Sequence, residues 1–260
     1  MKEALLSHFH PDERPFAVKT ADMLDRISEQ HELRRTDFLD PRQQFIVETL
    51  ANRYPDLQLL FEDGYPGAER KRAVIAPDYY TLDREDAGLR IVAISSDDAK
   101  LAELDHGDYL GALVGLGMKR ERLGDLHVSP EGCQCVVAEE MAAFIDLHLG
   151  QVHRVQVMTE IRPIEQLSPV IPQLAELTFT VASMRLDGIV GDVWRLSRAK
   201  SLIPIKAGRC RVNWKVEEDP SCLLKEADTV SLKGFGRFVL TRVEGETKKG
   251  RIRLTVSKYV

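Results

Sequence analysis

Ten side chains in the last third of the chain have the chemistry to grip a phosphate backbone: Arg185, Ser197, Arg198, Lys200, Lys206, Arg209, Arg211, Asn213, Lys233 and Arg237. Guanidinium and ammonium groups form the strongest hydrogen bonds that phosphate oxygens accept. Their spacing adds to this. Ser197 reads as the N-cap of a helix whose first turn carries Arg198 and Lys200. Cations there oppose the helix dipole, at a cost on the order of a few tenths of a kcal/mol, until an anion arrives at the exposed N–H groups. Arg209 and Arg211 alternate with Cys210 and Val212, so in a strand both guanidinium groups leave from one side. Lys233 and Arg237 flank the turn Gly234-Phe235-Gly236. Asn213 fits a turn as well as a base contact, and Trp214 reads as core packing in preference to a stacking surface. A surface of this kind holds a nucleic-acid backbone and reads sequence poorly.

Charge separates this segment from the rest. Residues 181–260 carry 17 Lys and Arg against 9 Asp and Glu, whereas the whole chain carries 36 against 41 and a net charge of −5. The first 180 residues therefore hold 19 against 32, and a basic module on an acidic body is the footprint of a polyanion site.

Other constellations are weaker. His8, His10 and Asp12 lack a fourth metal ligand and read as the lead-in to a helix. Gly111, Gly115 and Gly117 before Lys119 match neither a Walker nor a dinucleotide fingerprint. Lys119, Arg120 and Arg122 form a second basic spot, read as a solvated turn. Asp105, His106 and Asp108 have no nucleophile placed by the sequence. Cys133 and Cys135 share one face of a strand as structural thiols, and C-x-C without a second pair is not a zinc site. These patterns imply no catalysis, cofactor or metal.

The elements that must position these groups follow from periodicity. Residues 1–60 read as helical, with Asp40-Pro41 opening a helix that ends before Tyr54-Pro55, and 63–72 as a turn and boundary. Strands are expected at 72–77, 89–95, 122–129, 132–138 and 152–161, with helices at 104–118 and 139–150. That order predicts an α+β sandwich of ferredoxin-like or RNA-recognition-like type, without the aromatic strand motif that stacks RNA bases. After a proline-bearing linker at 162–173, and a strand at 177–183, two short helices precede strands at 210–217, 229–234, 237–244 and 251–259, the last two around the turn GETKKG. Pro204 falls inside the second helix and is expected to kink or shorten it. No stretch of eighteen apolar residues and no secretory h-region occurs, so the expectation is a cytoplasmic protein without a membrane partner.

Met184–Gly236 resembles an S4 domain, a small RNA-binding fold, through Arg185-Leu186-Asp187, Leu196-Ser197-Arg198, Lys206-Ala207-Gly208, Arg211-Val212-Asn213, Ala227-Asp228-Thr229-Val230 and Lys233-Gly234-Phe235-Gly236. With HFHPDERPF near the start, GALVGLGMKRERLGD at 111–125 and RVNWK at 211–215, nearly the whole chain is similar to the YlmH family of S4-domain proteins. The resemblance implies a helical N-terminal domain (1–70), an RNA-recognition-like middle domain (71–165) and a C-terminal S4 domain (181–260). It further implies a non-catalytic, monomeric protein without a cofactor. Such a protein binds structured RNA, rRNA or tRNA, on the large ribosomal subunit in ribosome-associated quality control. The alternative is an RNA-modifying enzyme, such as a pseudouridine synthase, that uses the S4 domain for targeting. Against it, the sole Arg-Leu-Asp lies inside the S4 segment, and no synthetase motif occurs.

Overall fold

The computed structural model describes residues 9–248 and 250–259, so His8 of the first candidate metal fragment and Lys249 of the GETKKG turn lie outside the described residues. The chain folds into two compact units, Met1–Val170 and Ile171–Val260.

In the first unit, helix α1 (Arg14–Gln30) buries Ala17, Ala21, Leu24 and Ile27, the stripe expected from 3.6-residue spacing. Strand β1 (Arg34–Leu39) leads into helix α2 (Pro41–Ala51), where the Asp40 carboxylate caps the Gln43 N–H and the Gln43 side chain accepts the Asp40 N–H in return. Strand β2 (Leu57–Glu62) follows, then β3 (Lys71–Pro77). These form an antiparallel sheet in the order β1-β3-β2. The region read as wholly helical thus contains two strands. Both are short, and the helical stripes on either side mask their alternation. The expected strand at 72–77 is the centre of this first sheet, so a boundary at 70/71 would cut it apart.

The remainder of the unit runs β4 (Leu89–Ser95), α3 (His106–Gly115), β5 (Leu123–Ser129), β6 (Gly132–Ala138), α4 (Glu139–His148), a small hairpin of β7 (Gln151–Val152) with β8 (Val155–Gln156), and β9 (Met158–Pro163). The sheet order β5-β6-β4-β9, antiparallel throughout, is the connectivity of a ferredoxin-like or RNA-recognition-like sandwich. One face, carrying Val92, Ile94, Cys133, Cys135 and Val137, packs on Tyr109 and Leu113 of α3 and Ala142 and Ile145 of α4. The other face is covered too. Leu89, Val136 and Ala138 pack against Phe38 and Val74 of the first sheet, with Ile164 and Leu167 of the following segment alongside. Gln134 accepts the Ser168 N–H at 2.8 Å, and His127 Nδ1 accepts the Val170 N–H at 3.2 Å. Gly132 permits the β5–β6 turn: at its φ of +133° an added Cβ would lie 2.1 Å from the Ile94 carbonyl oxygen.

In the second unit, β10 (Leu174–Val181) is followed by helices α5 (Leu186–Trp194) and α6 (Arg198–Lys206). Strands β11 (Cys210–Val212), β12 (Lys215–Val216), β13 (Thr229–Leu232), β14 (Gly236–Glu246) and β15 (Ile252–Tyr259) complete it. The sheet runs β10-β15-β14-β13-β11-β12. Ile189, Val190 and Val193 of α5 and Ile205 of α6 pack on Cys210, Val230, Leu232, Phe238, Leu240, Leu254 and Val256. Helix α6 is not cut at Pro204. It runs on to Lys206 with the proline inside it, forgoing the one hydrogen bond that an N–H at this position would give the Lys200 carbonyl, while the Ala207 N–H still reaches the Ile203 carbonyl at 3.1 Å. Gly208, at φ +66°, closes the helix in the left-handed region as expected. The strand expected at 210–217 is instead a hairpin, broken at Asn213 and Trp214, both with positive φ. No helix among the described residues is long and apolar enough to cross a membrane.

Candidate nucleic-acid interface

The ten candidate residues all lie on the second unit, but its fold sorts them onto different faces. Arg185 occupies the N-cap position of α5 and turns back on the same helix. Its Nε and Nη2 donate to the two carboxylate oxygens of Asp187 at 3.1 and 2.9 Å. Asp187 is 3% exposed and also accepts the Gly188 N–H at 2.9 Å. Arg198, first residue of α6, brings Nη2 to 3.6 Å from the same carboxylate while its side chain stays 75% exposed. The Arg185 hydrogen bonds and charge hold the Asp187 carboxyl below the ordinary carboxylate range, against the opposing effect of burial. One buried anion therefore holds the half-buried Arg185 guanidinium by hydrogen bonds and draws the exposed Arg198 guanidinium toward it.

These groups line a cleft of about 270 Å³ with Gly188, Gly191, Asp192 and Arg251. Arg251 is held by Thr180, whose Oγ1 accepts from Nε at 3.1 Å. Sequence reasoning missed Asp187 and Arg251 as site residues. Arg-Leu-Asp was visible as a motif, whereas Arg251 joins the cleft through the pairing of β10 with β15, which no local pattern announces.

At the start of α6, Ser197 Oγ accepts the Lys200 N–H at 3.4 Å, a long capping bond in the expected place. Lys200 and Lys206 are exposed, the first at the start of the helix and the second in its last turn. Arg209 and Lys233 meet just beyond the paired ends of β11 and β13, where the Arg209 carbonyl accepts the Lys233 N–H at 3.0 Å. Arg211 and Arg237 share a row through Ser231, which pairs with both. Their neighbours Cys210 and Phe238 point into the core beneath the helices, so these two arginines point the other way. Burial pushes the Cys210 thiol up to about 12, leaving it an inert core thiol.

Asn213 takes the turn role. Its side-chain amide donates to Asp228 at 2.7 Å, its side-chain carbonyl accepts the Thr229 N–H at 2.9 Å, and φ is +50°. These bonds hold the amide in the turn, leaving it one N–H and one carbonyl lone pair. Trp214 is not in the core. It stands half-buried at the hairpin tip with the Arg237 guanidinium 5.5 Å from its ring centre.

The second basic spot dissolves in the first unit. Arg120 donates to the Leu123 and Gly124 carbonyls at 2.6 and 3.0 Å, and Arg122 pairs with Asp37 at 3.2 Å, so both tie the β5 entry to its surroundings. Asp105 and Asp108 cap α3 reciprocally. His10 accepts the Asp12 N–H at 3.4 Å ahead of α1. Among the described residues no group of three His, Cys, Asp or Glu side chains is placed to hold a metal ion.

Comparison with known proteins agrees with this architecture. Residues 12–80 match the family model described as "YlmH, N-terminal", and residues 83–166 match "Putative RNA-binding domain in YlmH". The chain is 37% identical over 254 residues, 98% of each protein, to the Bacillus subtilis (strain 168) protein named "Ribosome-associated protein quality control protein P2". A solved structure, "Cell division protein ylmH from Streptococcus pneumoniae", matches with TM-score 0.54 at 22% identity, over 62% of this chain and 98% of that one. At that identity the structural likeness speaks for the fold alone.

Proposed function

The chain belongs to the YlmH family, and from that membership we propose that it is a non-catalytic RNA-binding protein of ribosome-associated quality control. In this reading residues 181–260 form an S4 domain that binds structured rRNA or tRNA on the large ribosomal subunit. The acidic first unit, with its N-terminal and RNA-recognition-like parts, positions it. The protein acts as a monomer in the cytoplasm and needs no cofactor.

One observation carries the reading: the buried Asp187 carboxylate presents Arg185 and Arg198 together beside a cleft in a unit of net positive charge. An Arg185 guanidinium held by two hydrogen bonds and an Arg198 guanidinium drawn toward the same carboxylate offer paired donors to successive phosphate oxygens. Lys200 and Lys206 extend the positive charge along α6. The covered sheet of the first unit supports assigning RNA to the second, since bases that stack on an RNA-recognition sheet need the face that Phe38, Val74 and Leu167 occupy.

The test is co-sedimentation with purified large ribosomal subunits over a salt series. Wild type is expected to pellet with subunits and to lose affinity steeply with salt, because neutralised phosphates release counterions. Arg198→Glu combined with Arg211→Glu removes two cations and adds two repulsions, and is expected to abolish pelleting at physiological salt. Undiminished pelleting of the folded double variant refutes this placement of the RNA surface.

A further inference from the structure

The hairpin between β11 and β12 is a two-residue turn with φ of +50° at Asn213 and +64° at Trp214. Turns with positive φ at both central residues favour Asn followed by Gly, and a bulky side chain at the second position is strained. The turn chemistry alone gives no reason for a tryptophan here. Nor does the core, since the indole stands half-buried outside it. What the position does achieve is to set the ring beside Arg237, whose guanidinium carbon lies 5.5 Å from the Trp214 ring centre and 5.5 Å from that of Tyr259. Arg211 adds a second cation and is steered by a hydrogen bond from Nη1 to the Trp214 carbonyl at 3.2 Å.

The face is defined by register. Arg211, Ser231 and Arg237 are directly paired across β11, β13 and β14, and alternate with the core residues Cys210, Val230, Leu232 and Phe238 on which the helices pack. The row therefore lies on the side of the sheet away from Arg185 and Arg198. Aromatic rings held beside guanidinium groups on a positively charged sheet are the apparatus that stacks unpaired bases, whereas cations on helix ends suit the backbone of a folded duplex.

We propose that this outer sheet face is a second RNA-contact surface, on which an unpaired nucleotide stacks against Trp214 while Arg211 and Arg237 meet its phosphates. The proposal rests on the RNA-binding reading above and divides the labour within it: the helix face holds structured backbone, the sheet face holds a single-stranded segment.

The experiment uses the full chain and two fluorescent probes, a twelve-nucleotide oligouridylate and a blunt twelve-base-pair RNA duplex, with binding followed by anisotropy. Trp214→Gly deletes the ring while giving the turn the residue it favours, so it keeps the hairpin. It is expected to weaken oligouridylate binding about tenfold or more, the usual effect of losing one stacking ring, and to change duplex binding less than about twofold. Trp214→Phe keeps an aromatic face and is expected to recover most of the loss. Arg198→Glu is expected to show the opposite preference, weakening the duplex more than the single strand. Equal single-strand affinity for wild type and Trp214→Gly, equal losses on both probes, or no recovery with phenylalanine overturns the sheet-face proposal while leaving RNA binding in place. Wild type that binds neither probe overturns both.

Discussion

Replacing Asp187 with asparagine tests the reasoning at its narrowest point. The carboxylate receives two hydrogen bonds from Arg185, at 3.1 and 2.9 Å, and one from the Gly188 N–H at 2.9 Å, and it is 3% exposed. Asparagine keeps an acceptor for Gly188 but turns an N–H₂ donor toward a guanidinium that can only donate. Hydrogen bonds to a charged group contribute about 1.5–3 kcal/mol each, but the Arg185 side chain is 36% exposed and water makes up part of the loss. The expected destabilisation is therefore about 2 kcal/mol in total. Both tryptophans, Trp194 and Trp214, lie in the second unit, so urea unfolding followed by tryptophan fluorescence reads that unit selectively. At an m-value of about 1–2 kcal/mol/M the midpoint should fall by roughly 1–2 M. The pH dependence has a definite sign. The folded-state pKa of Asp187 lies below its ordinary 3.8, so its contribution is complete above pH 3.8 and is lost as pH falls through the folded value. The gap between wild type and variant should be full at pH 7 and close on acidification. A midpoint unchanged at pH 7, or a gap that widens toward acid, refutes the claim that this carboxylate anchors the two arginines.

Three further substitutions probe separate assignments. Asn213→Ala removes two side-chain hydrogen bonds and a residue tolerant of positive φ, so equilibrium unfolding should show a loss of about 1–2 kcal/mol, with RNA affinity per folded molecule unchanged. A selective loss of affinity would restore Asn213 to the contact surface. Gly132→Ala should cost at least about 3 kcal/mol, or prevent folding, since its Cβ would meet the Ile94 carbonyl at 2.1 Å; circular dichroism on heating would show it. His127 is buried, which holds its pKa below 6.5, and its neutral Nδ1 accepts the Val170 N–H. Its contribution is present above pH 6.5 and lost as pH falls through the folded value, so urea midpoints read by far-ultraviolet dichroism should decline below pH 6.5. His127→Gln should lack that part of the decline, and identical pH profiles for the two would rule it out.

Local chemistry was legible from the residues alone. The caps at Asp40 and Ser197, the left-handed stop at Gly208, the two short helices of the second unit and the concentration of cations within 181–260 depend on neighbours a few positions apart. So did the turn alternative for Asn213, though choosing it required Asp228 and Thr229, which are fifteen and sixteen residues away. By sequence Pro204 is expected to kink or shorten its helix; α6 continues through it and ends two residues later at Lys206, so the proline's cost is confined to the bond its missing N–H would have made to the Lys200 carbonyl.

What only the tertiary structure decided is which elements and side chains meet. The short apolar run at 73–76 announces a strand but not its partners, and pairing with β1 and β2 placed it in the first sheet. The same non-local packing covered the second face of the middle sheet. Among the ten candidate cations and polar groups, strand alternation predicted that Arg211 leaves the core face, yet a sequence does not say on which side of that sheet the helices lie. Packing α5 and α6 against Cys210 and Phe238 separated Arg185 and Arg198 from Arg211 and Arg237, and burial of Asp187 joined the first pair. Composition and short-range spacing determined that this chain carries a basic module in its last third. Long-range pairing and burial, which no short window contains, determined that the module has two faces.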